Sequence, residues 1–277
     1  MLDKRVSLRE AVASIPDGAV LALGGNTLHR APCAVVHELV RQGKRDLTLV
    51  KTASSYDTDL LCGAGCVRRA ELAFVGFENV FGLAPRYRQA IETGRVKLRE
   101  HACYSIITGL RAGVQGVPFM PIAGMVGSDV VAASGFKTVQ DPYSGQTLVA
   151  VQAIQPDVAV VHVQEADAEG NGVIYGTRFE DVLIAQAARR VILTCERVVP
   201  GEQVARQPEL TAIPGYLVEA VVEAPRGAWP LSCAGEYDYD HAFLAAYVDA
   251  ARSDDIVYQR FIEQHILAPD AALVYSA

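Results

Sequence analysis

The chain has 277 residues, 51% apolar and 21% charged, a composition that packs a globular core and excludes a disordered or fibrous chain. Its net charge of −7 leaves no basic stripe to neutralise phosphates, which argues against a nucleic-acid binder. The longest apolar runs, such as 117–126, are broken by Pro and Gly and too short to span a bilayer. The charged opening MLDKRVSLRE has no apolar run behind it, so the expectation is a soluble, cytoplasmic protein without a signal peptide.

From the N-terminus, Ser7-Leu8-Arg9-Glu10 is a capping box, in which Ser7 caps a helix start and Glu10 returns the bond. Pro16-Asp17-Gly18 ends that helix in a turn, and residues 19–23 read as a short buried strand. Pro32 suits the first turn of a helix whose apolar face is Val35, Val36, Leu39 and Val40, with Gly43 at its left-handed C-terminal position. Strands are predicted at 47–50, 70–75 and 96–98, with a helix at 86–93, closed by Gly94, between the last two. Helices near 106–112 and 180–190 follow, and strands at 158–162, 191–194 and 218–222.

Strands separated by helical patterns of this length predict βαβ units. The fold class expected is α/β, an open, mainly parallel sheet flanked by helices. The stretch 137–151 turns at Asp141-Pro142-Tyr143-Ser144-Gly145 and reads as a small β-hairpin insertion. Two helices, near 240–252 and 255–265, are predicted to pack on the outside as a helical C-terminal extension over 240–277. No repeat, low-complexity tract or long linker divides the sequence, so residues 1–277 read as one domain.

The six cysteines, Cys33, Cys62, Cys66, Cys103, Cys195 and Cys233, are spread over the whole chain. Cys62 and Cys66 are separated by three residues rather than two, with no His pair at ligand spacing, so no metal site is expected. The thiols read as unpaired and mostly buried.

Gly24-Gly25 follows a buried strand and precedes a helix, at the carboxyl edge where open α/β sheets bind ligands. Two glycines there permit close backbone approach and leave amide N–H groups able to face an anion or a developing oxyanion. They fit a plain strand-to-helix turn equally well. The spacing matches neither a dinucleotide fingerprint nor a phosphate loop.

The surrounding segment narrows the reading. Asp17-Gly18, two residues, three apolar residues, Gly24-Gly25, then Pro32 resembles the N-terminal signature of class I coenzyme A transferases. Asn26 stands where Phe is usual, and Arg30, where many relatives have Gly, is what the glutaconate-type branch carries. Gly116-Val-Pro118-Phe-Met-Pro121 with Gly127-Ser128 resembles the middle of the glutaconate CoA-transferase A subunit. So do Phe179-Glu-Asp181-Val-Leu-Ile-Ala185 and Cys233-Ala-Gly235-Glu-Tyr-Asp238-Tyr-Asp240.

The resemblance implies an A (alpha) subunit that joins a homologous B (beta) subunit in an A–B heterodimer or higher heteromer, the active site lying between them. In this family a B-subunit Glu, within a Ser-Glu-Asn-Gly-type motif, attacks the acyl-CoA carbonyl. A mixed anhydride forms, then a glutamyl-CoA thioester, and CoA passes to a second carboxylic or dicarboxylic acid. Coenzyme A is thus a substrate, and no bound cofactor or metal is implied. The B-type motif is absent from this sequence. Glu196, in Thr194-Cys195-Glu196-Arg197, lacks the Asn-Gly that would surround a nucleophile and reads as structural.

Cys103 is the informative departure. Transferases of this type place an active-site Gln there, and the related ring-opening CoA hydrolases a catalytic Glu. A thiol cannot reproduce the Gln amide. Either His101, Tyr104 or Asn26 substitutes as donor, or the chemistry differs, as in the branch that decarboxylates 3-methylglutaconyl-CoA. A non-catalytic acyl-CoA-binding subunit is the third alternative. Cys103 itself reads as a small buried helix-start residue or as a nucleophile activated by the helix N-terminus.

The candidates for oxyanion contact or support are Gly25, Asn26, Glu100, His101 and Cys103. The substrate-binding candidates are Gly24, Gly25, Asn26, Arg30, Ser54, Gly127 and Ser128, with Arg30 expected to clamp a substrate carboxylate bidentately. Glu100 and His101 are neighbours in a strand, so only one of them faces the pocket. His162, on an apolar strand, reads as a satisfied core histidine, and Tyr237 and Tyr239 as packing or interface residues.

Overall fold

A computed structural model describes residues 2–275. Its strands are β1 Val20–Leu23, β2 Leu47–Ser54, β3 Val67–Val75, β4 Lys97–Glu100, β5 Phe119–Ile122, β6 Lys137–Gln140, β7 Thr147–Gln152, β8 Val158–Ala166, β9 Gly172–Val173, β10 Arg190–Val198, β11 Thr211–Ile213 and β12 Val218–Glu223. The helices are α1 Leu8–Ala13, α2 Cys33–Arg41, α3 Tyr56–Gly63, α4 Glu78–Phe81, α5 Pro85–Glu92, α6 Cys103–Gln115, α7 Asp129–Ala133, α8 Asp181–Ala187, α9 Gly201–Ala205, α10 His241–Arg252 and α11 Asp255–Ile262.

Seven strands run parallel in the order β12-β10-β8-β1-β2-β3-β4. The antiparallel pair β9–β11 extends the end of β8. A separate antiparallel sheet, β5-β7-β6, carries the expected hairpin. The hairpin gains β5 as a third strand, and Pro121 is tolerated there because β5 is an edge.

The chain fills the sheet from β1 outward to β4, then crosses back to β8 and builds the other half. The strand order therefore reverses between β1 and β8, and the carboxyl ends of these two strands form the crevice where such sheets place ligands. All nine residues of β8 are buried, as a parallel strand covered on both faces requires. One apolar cluster lies under α1, α2, α3, α5, α10 and α11, and the other lies under α6 and α8.

Local signals set many boundaries. Ser7 and Glu10 make both bonds of the capping box, and Gly43 and Gly94 adopt φ of +63° and +71° after their helices. Helix α3 escapes the pattern because Tyr56 through Cys62 are all buried, which erases the apolar stripe that reveals a surface helix. Its acids are held inside: Asp57 pairs with Lys51 at 2.7 Å, and Asp59 accepts from the Tyr247 hydroxyl at 2.9 Å.

The C-terminal helices each keep an exposed face and send the other into the core. Helix α10 buries Leu244, Tyr247 and Val248 in the main core, and the Tyr275 hydroxyl reaches His37 Nδ1 at 2.7 Å. The helix expected to run to residue 190 stops at Ala187, because Arg190 already opens β10. The last two residues of the expected extension lie outside the described residues.

Candidate active site at the sheet switch point

Strand β1 ends in the glycine pair, and the backbone turns there under tight constraint. A Cβ on Gly24 would sit 2.4 Å from Asp181 Oδ1, and one on Gly25, whose φ is +71°, 2.4 Å from the His29 carbonyl oxygen. Only glycine fits either position. The amides of this loop are not available to a ligand, contrary to the sequence expectation. Gly24 N–H donates to Val160 O at 2.8 Å and Gly25 N–H to Asp181 Oδ1 at 2.8 Å. Asn26 N–H donates to His29 O at 2.8 Å and Thr27 N–H to Ala53 O at 3.2 Å. A buried loop has to satisfy its donors internally, and this one does.

Arg30 is also turned inward. Its side chain is 3% exposed, with Nη2 2.5 Å from Asp181 Oδ2. Nη1 donates to His162 O at 2.6 Å, and Nη2 also to Thr177 O at 3.0 Å. The fork expected to grip a substrate carboxylate is already engaged by a protein carboxylate. Asp181 joins the two devices, taking Gly25 N–H on one oxygen and Arg30 on the other.

Around this lock lies a cavity of about 270 Å³, lined by His29, Thr177, Phe179, Ser232 and Ala234 beside Arg30. The His29 and Phe179 rings stack 6.4 Å apart, and His29 Nδ1 is 2.7 Å from Ser232 Oγ. Of the seven non-glycine residues with positive φ among the described residues, Thr27, Arg30, Glu78 and Phe179 belong to this edge. Thr27 bonds Glu78, and the Arg30 guanidinium lies 5.8 Å from the Phe179 ring. Such conformations cost on the order of 1–3 kcal/mol each and cluster where function demands them.

At the end of β2, the Thr52 hydroxyl donates to the buried Glu180 carboxylate. The Cys103 thiol, at the first residue of α6, lies 3.7 Å from the Thr52 carbonyl oxygen. Cys103 is exposed, whereas the other five cysteines are buried. Partial burial and then the nearby Glu180 carboxylate push the thiol above its ordinary value, so it is protonated at neutral pH. The half-buried Asn26 carboxamide makes no hydrogen bond among the described residues.

The remaining candidates do not converge here. Ser54 is buried and donates to Thr58 Oγ1 at 2.8 Å. Glu100 is exposed, while His101 is buried with Nδ1 2.9 Å from Ser105 Oγ. Ser128 caps the five-residue helix α7, accepting from Val130 N–H at 3.2 Å, and with Gly127 lies on an exposed loop. Glu196 accepts from the Tyr237 hydroxyl and Arg226 N–H at 2.5 Å each and lies 2.8 Å from His162 Nε2.

The ligand atoms of His162, Glu196 and Cys233 lie within 4.8 Å of one another. Burial and Glu196 push that thiol up to about 12, and the His and Glu are already bonded to each other, which fits a hydrogen-bonded core rather than a metal ligand set. Sequence reasoning misses Glu180, Asp181, Thr52 and Phe179 as site residues. The signal for three of them is the Phe179-Glu-Asp181 run at a helix start, and Thr52 has none.

An α/β sheet with a glycine turn and a polar cleft at its switch point defines a ligand-binding fold, and the sequence matches the coenzyme A transferase family over residues 5–224. The chain belongs to that family. It is 35% identical over 272 residues to the A subunit of glutaconate CoA-transferase from Acidaminococcus fermentans, covering 92% of this chain and 85% of that protein. The crystal structure of glutaconate coenzyme A-transferase from the same organism matches with a TM-score of 0.93 at 33% identity, over 98% of this chain and 91% of that one. The crystal structure of a variant of the decarboxylase AibA/AibB matches with a TM-score of 0.83 at 38% identity, over 95% and 98%. Against an uncharacterised Archaeoglobus fulgidus protein of 37% identity, 92% of this chain spans 58% of its length. No helix of the described residues is long and apolar enough to cross a membrane.

Proposed function

We propose that this chain is the A subunit of a heteromeric CoA-transferase, exchanging CoA between an acyl-CoA and a carboxylic acid, dicarboxylic acids included. The observation that carries the reading is the kinship with the A subunit of glutaconate CoA-transferase over 92% of the chain. The chemistry of the edge supports it. The strand-end carboxylate Glu196 is held by three partners and this sequence lacks the B-type Ser-Glu-Asn-Gly motif, so we assign the attacking group to a B subunit.

A partner glutamate then displaces CoA from the acyl thioester, giving a mixed anhydride. CoA thiolate returns to the glutamyl carbonyl and releases the first acid, and the acceptor acid reverses the sequence. This chain supplies the surroundings. Asn26, with an unengaged carboxamide, is the donor to the oxyanion, joined by the Cys103 and Tyr104 N–H groups at the start of α6, the next two amides being taken by Ala102 O. The His29–Phe179 cavity takes the acyl group; Gly25 and Arg30 fix its floor by holding Asp181, and Gly24 leaves the room that Asp181 needs. Ser54 supports the end of β2 from inside, and the exposed Gly127-Ser128 loop is assigned to the substrate side.

The test is to purify the chain with and without its B-type partner and assay CoA transfer. Transfer requires both, and borohydride or hydroxylamine added with acyl-CoA modifies a partner glutamate. Robust transfer by this chain alone would overturn the assignment.

A second reading is a decarboxylase acting on a 3-methylglutaconyl-type CoA thioester, favoured by Cys103 in the place of Gln and by the likeness to the decarboxylase structure. Carbon dioxide release from such a thioester without an acceptor acid would establish it. Tight acyl-CoA binding by the pair, with neither reaction, would mark a binding subunit instead.

A further inference from the structure

Away from that edge the main sheet holds a second polar cavity, also of about 270 Å³, on the face that α6 covers. Two rows of the parallel register build its floor. Thr48 stands opposite Arg69, and Val50 opposite Glu71, which in turn stands opposite Arg99. Gln152 and Gln155, at the end of β7 and just after it, close one side. The face of a parallel sheet packed under a helix is normally apolar. Here it carries three charged side chains.

The charges do not cancel. Arg69 Nη2 lies 3.4 Å from Glu71 Oε1, and one carboxylate faces two guanidinium groups. Arg99 has no ion pair within 4 Å and no hydrogen bond among the described residues, and its guanidinium rests 4.7 Å from the Phe136 ring centroid. No side-chain hydrogen bond engages Gln152 or Gln155 among the described residues either. Glu71 also lies beside a buried imidazole. The Ser105 hydroxyl has one hydrogen, which goes to Ala102 O at 2.9 Å, so His101 Nδ1 must donate to Ser105. The opposite nitrogen, His101 Nε2, is buried without a hydrogen-bond partner, 3.7 Å from Glu71 Oε2. A pocket rich in donors, with more cationic than anionic groups, thus sits within a chain whose net charge is −7.

We propose that this cavity is a second anion site, which takes the carboxylate or phosphate group of a small metabolite between Arg69 and Arg99. The planar guanidinium fork matches both groups. The volume accommodates an anionic head group, not a whole molecule of the size of CoA, since sites for whole drug-sized ligands run from about 300 to 1,000 Å³. The site is independent of the activity proposed above.

Titration calorimetry on the full chain at low ionic strength tests it, with glutarate, inorganic phosphate and adenosine 3′,5′-diphosphate as probes. At least one probe binds saturably and more weakly as salt is added. Arg99→Gln weakens that binding about tenfold or more, the loss of a charge-assisted contact, and Glu71→Gln tightens it. Binding of glutarate or phosphate identifies a free small anion as the occupant, and binding of the nucleotide alone identifies the phosphate of a larger molecule. Should Arg99→Gln not fold, the opposite shift in Glu71→Gln decides. No saturable binding of any probe, or binding that these substitutions leave unchanged, overturns the proposal.

Discussion

On β8 and β10, His162 and Glu196 stand on neighbouring parallel strands; Glu71 on β3 and His101, just past β4, do the same. In both pairs the second residue lies two positions beyond the one in register with the first. The outcomes differ. His162 has Thr194 Oγ1 at 2.9 Å and Glu196 at 2.8 Å on its two nitrogens, and Glu196 takes two further donors. In the other pair the imidazole and carboxylate are 3.7 Å apart, and one imidazole nitrogen has no hydrogen-bond partner. The chain explains the contrast. After β12 it folds back so that Arg226 and Tyr237 close over Glu196, whereas the segment after β7 stands off from Glu71 and leaves a cavity. The same two side chains make a closed strut or an open site according to what a later segment brings.

The closed half is anchored by Arg30, which ties the His162 carbonyl to Asp181, so the largest effect is expected there. Asp181→Ala leaves a buried guanidinium without its charge partner and lowers stability by about 3–5 kcal/mol, read by urea denaturation. A loss below about 1 kcal/mol would mean that the lock is not structural. Glu196→Gln turns an acceptor into a donor facing donors and costs about 1–3 kcal/mol.

Glu71→Gln, in the open half, meets no such crowd and costs less than about 1 kcal/mol. Equal losses in the two variants would erase the distinction between the halves. Acid titration reads the closed half without separating the two, since against burial the Glu71 carboxyl is also held below its ordinary value, by His101, Arg99 and Arg69. Hydrogen bonding to His162 and Tyr237 holds the Glu196 carboxyl below its ordinary value of 4.5 despite burial. An acid depressed in the folded state contributes stability above its unfolded value, and that contribution is lost as pH falls through the folded one. Stability of the native chain therefore declines as pH drops below about 4.5, and Glu196→Gln flattens that decline.

The βαβ alternation, the hairpin and the glycine turn were legible in the sequence because each has a local cause: a period, a cap or a positive φ. Helix α3 was not, since residues buried all round lose their pattern, and the helix at α10 was legible while the depth to which it enters the core was not. At the site, the family motif pointed to the right edge but not to the state of its groups. Nothing near Gly24, Gly25 or Asn26 in sequence shows that Val160, Asp181 and His29 engage their amides. Arg30 likewise finds Asp181 some 151 residues away. The alternation of Glu100 and His101 was predictable from strand geometry, but the partner that His101 lacks was not.

Cys103 gives the smallest effect on stability and the finest test of the edge. At the first residue of a 13-residue helix a thiol would ordinarily be activated by the helix N-terminus. Here burial and the Glu180 carboxylate act the other way, raising it from its ordinary value of 9.0. An exposed thiol so placed reacts with iodoacetamide at pH 7 more slowly than an unperturbed cysteine, and its rate is still rising with pH where that of an ordinary thiol has levelled off. Cys103→Ser changes stability by no more than about 0.5 kcal/mol, so labelling, not folding, is the readout. Glu180→Gln removes the opposing charge and speeds labelling at pH 7 without moving Cys103. Fast labelling of the native chain would mean a thiolate at the carboxyl edge, and the attacking group would then lie in this chain after all. Slow labelling that Glu180→Gln leaves unchanged would instead separate the carboxylate from the thiol and leave burial as the sole cause.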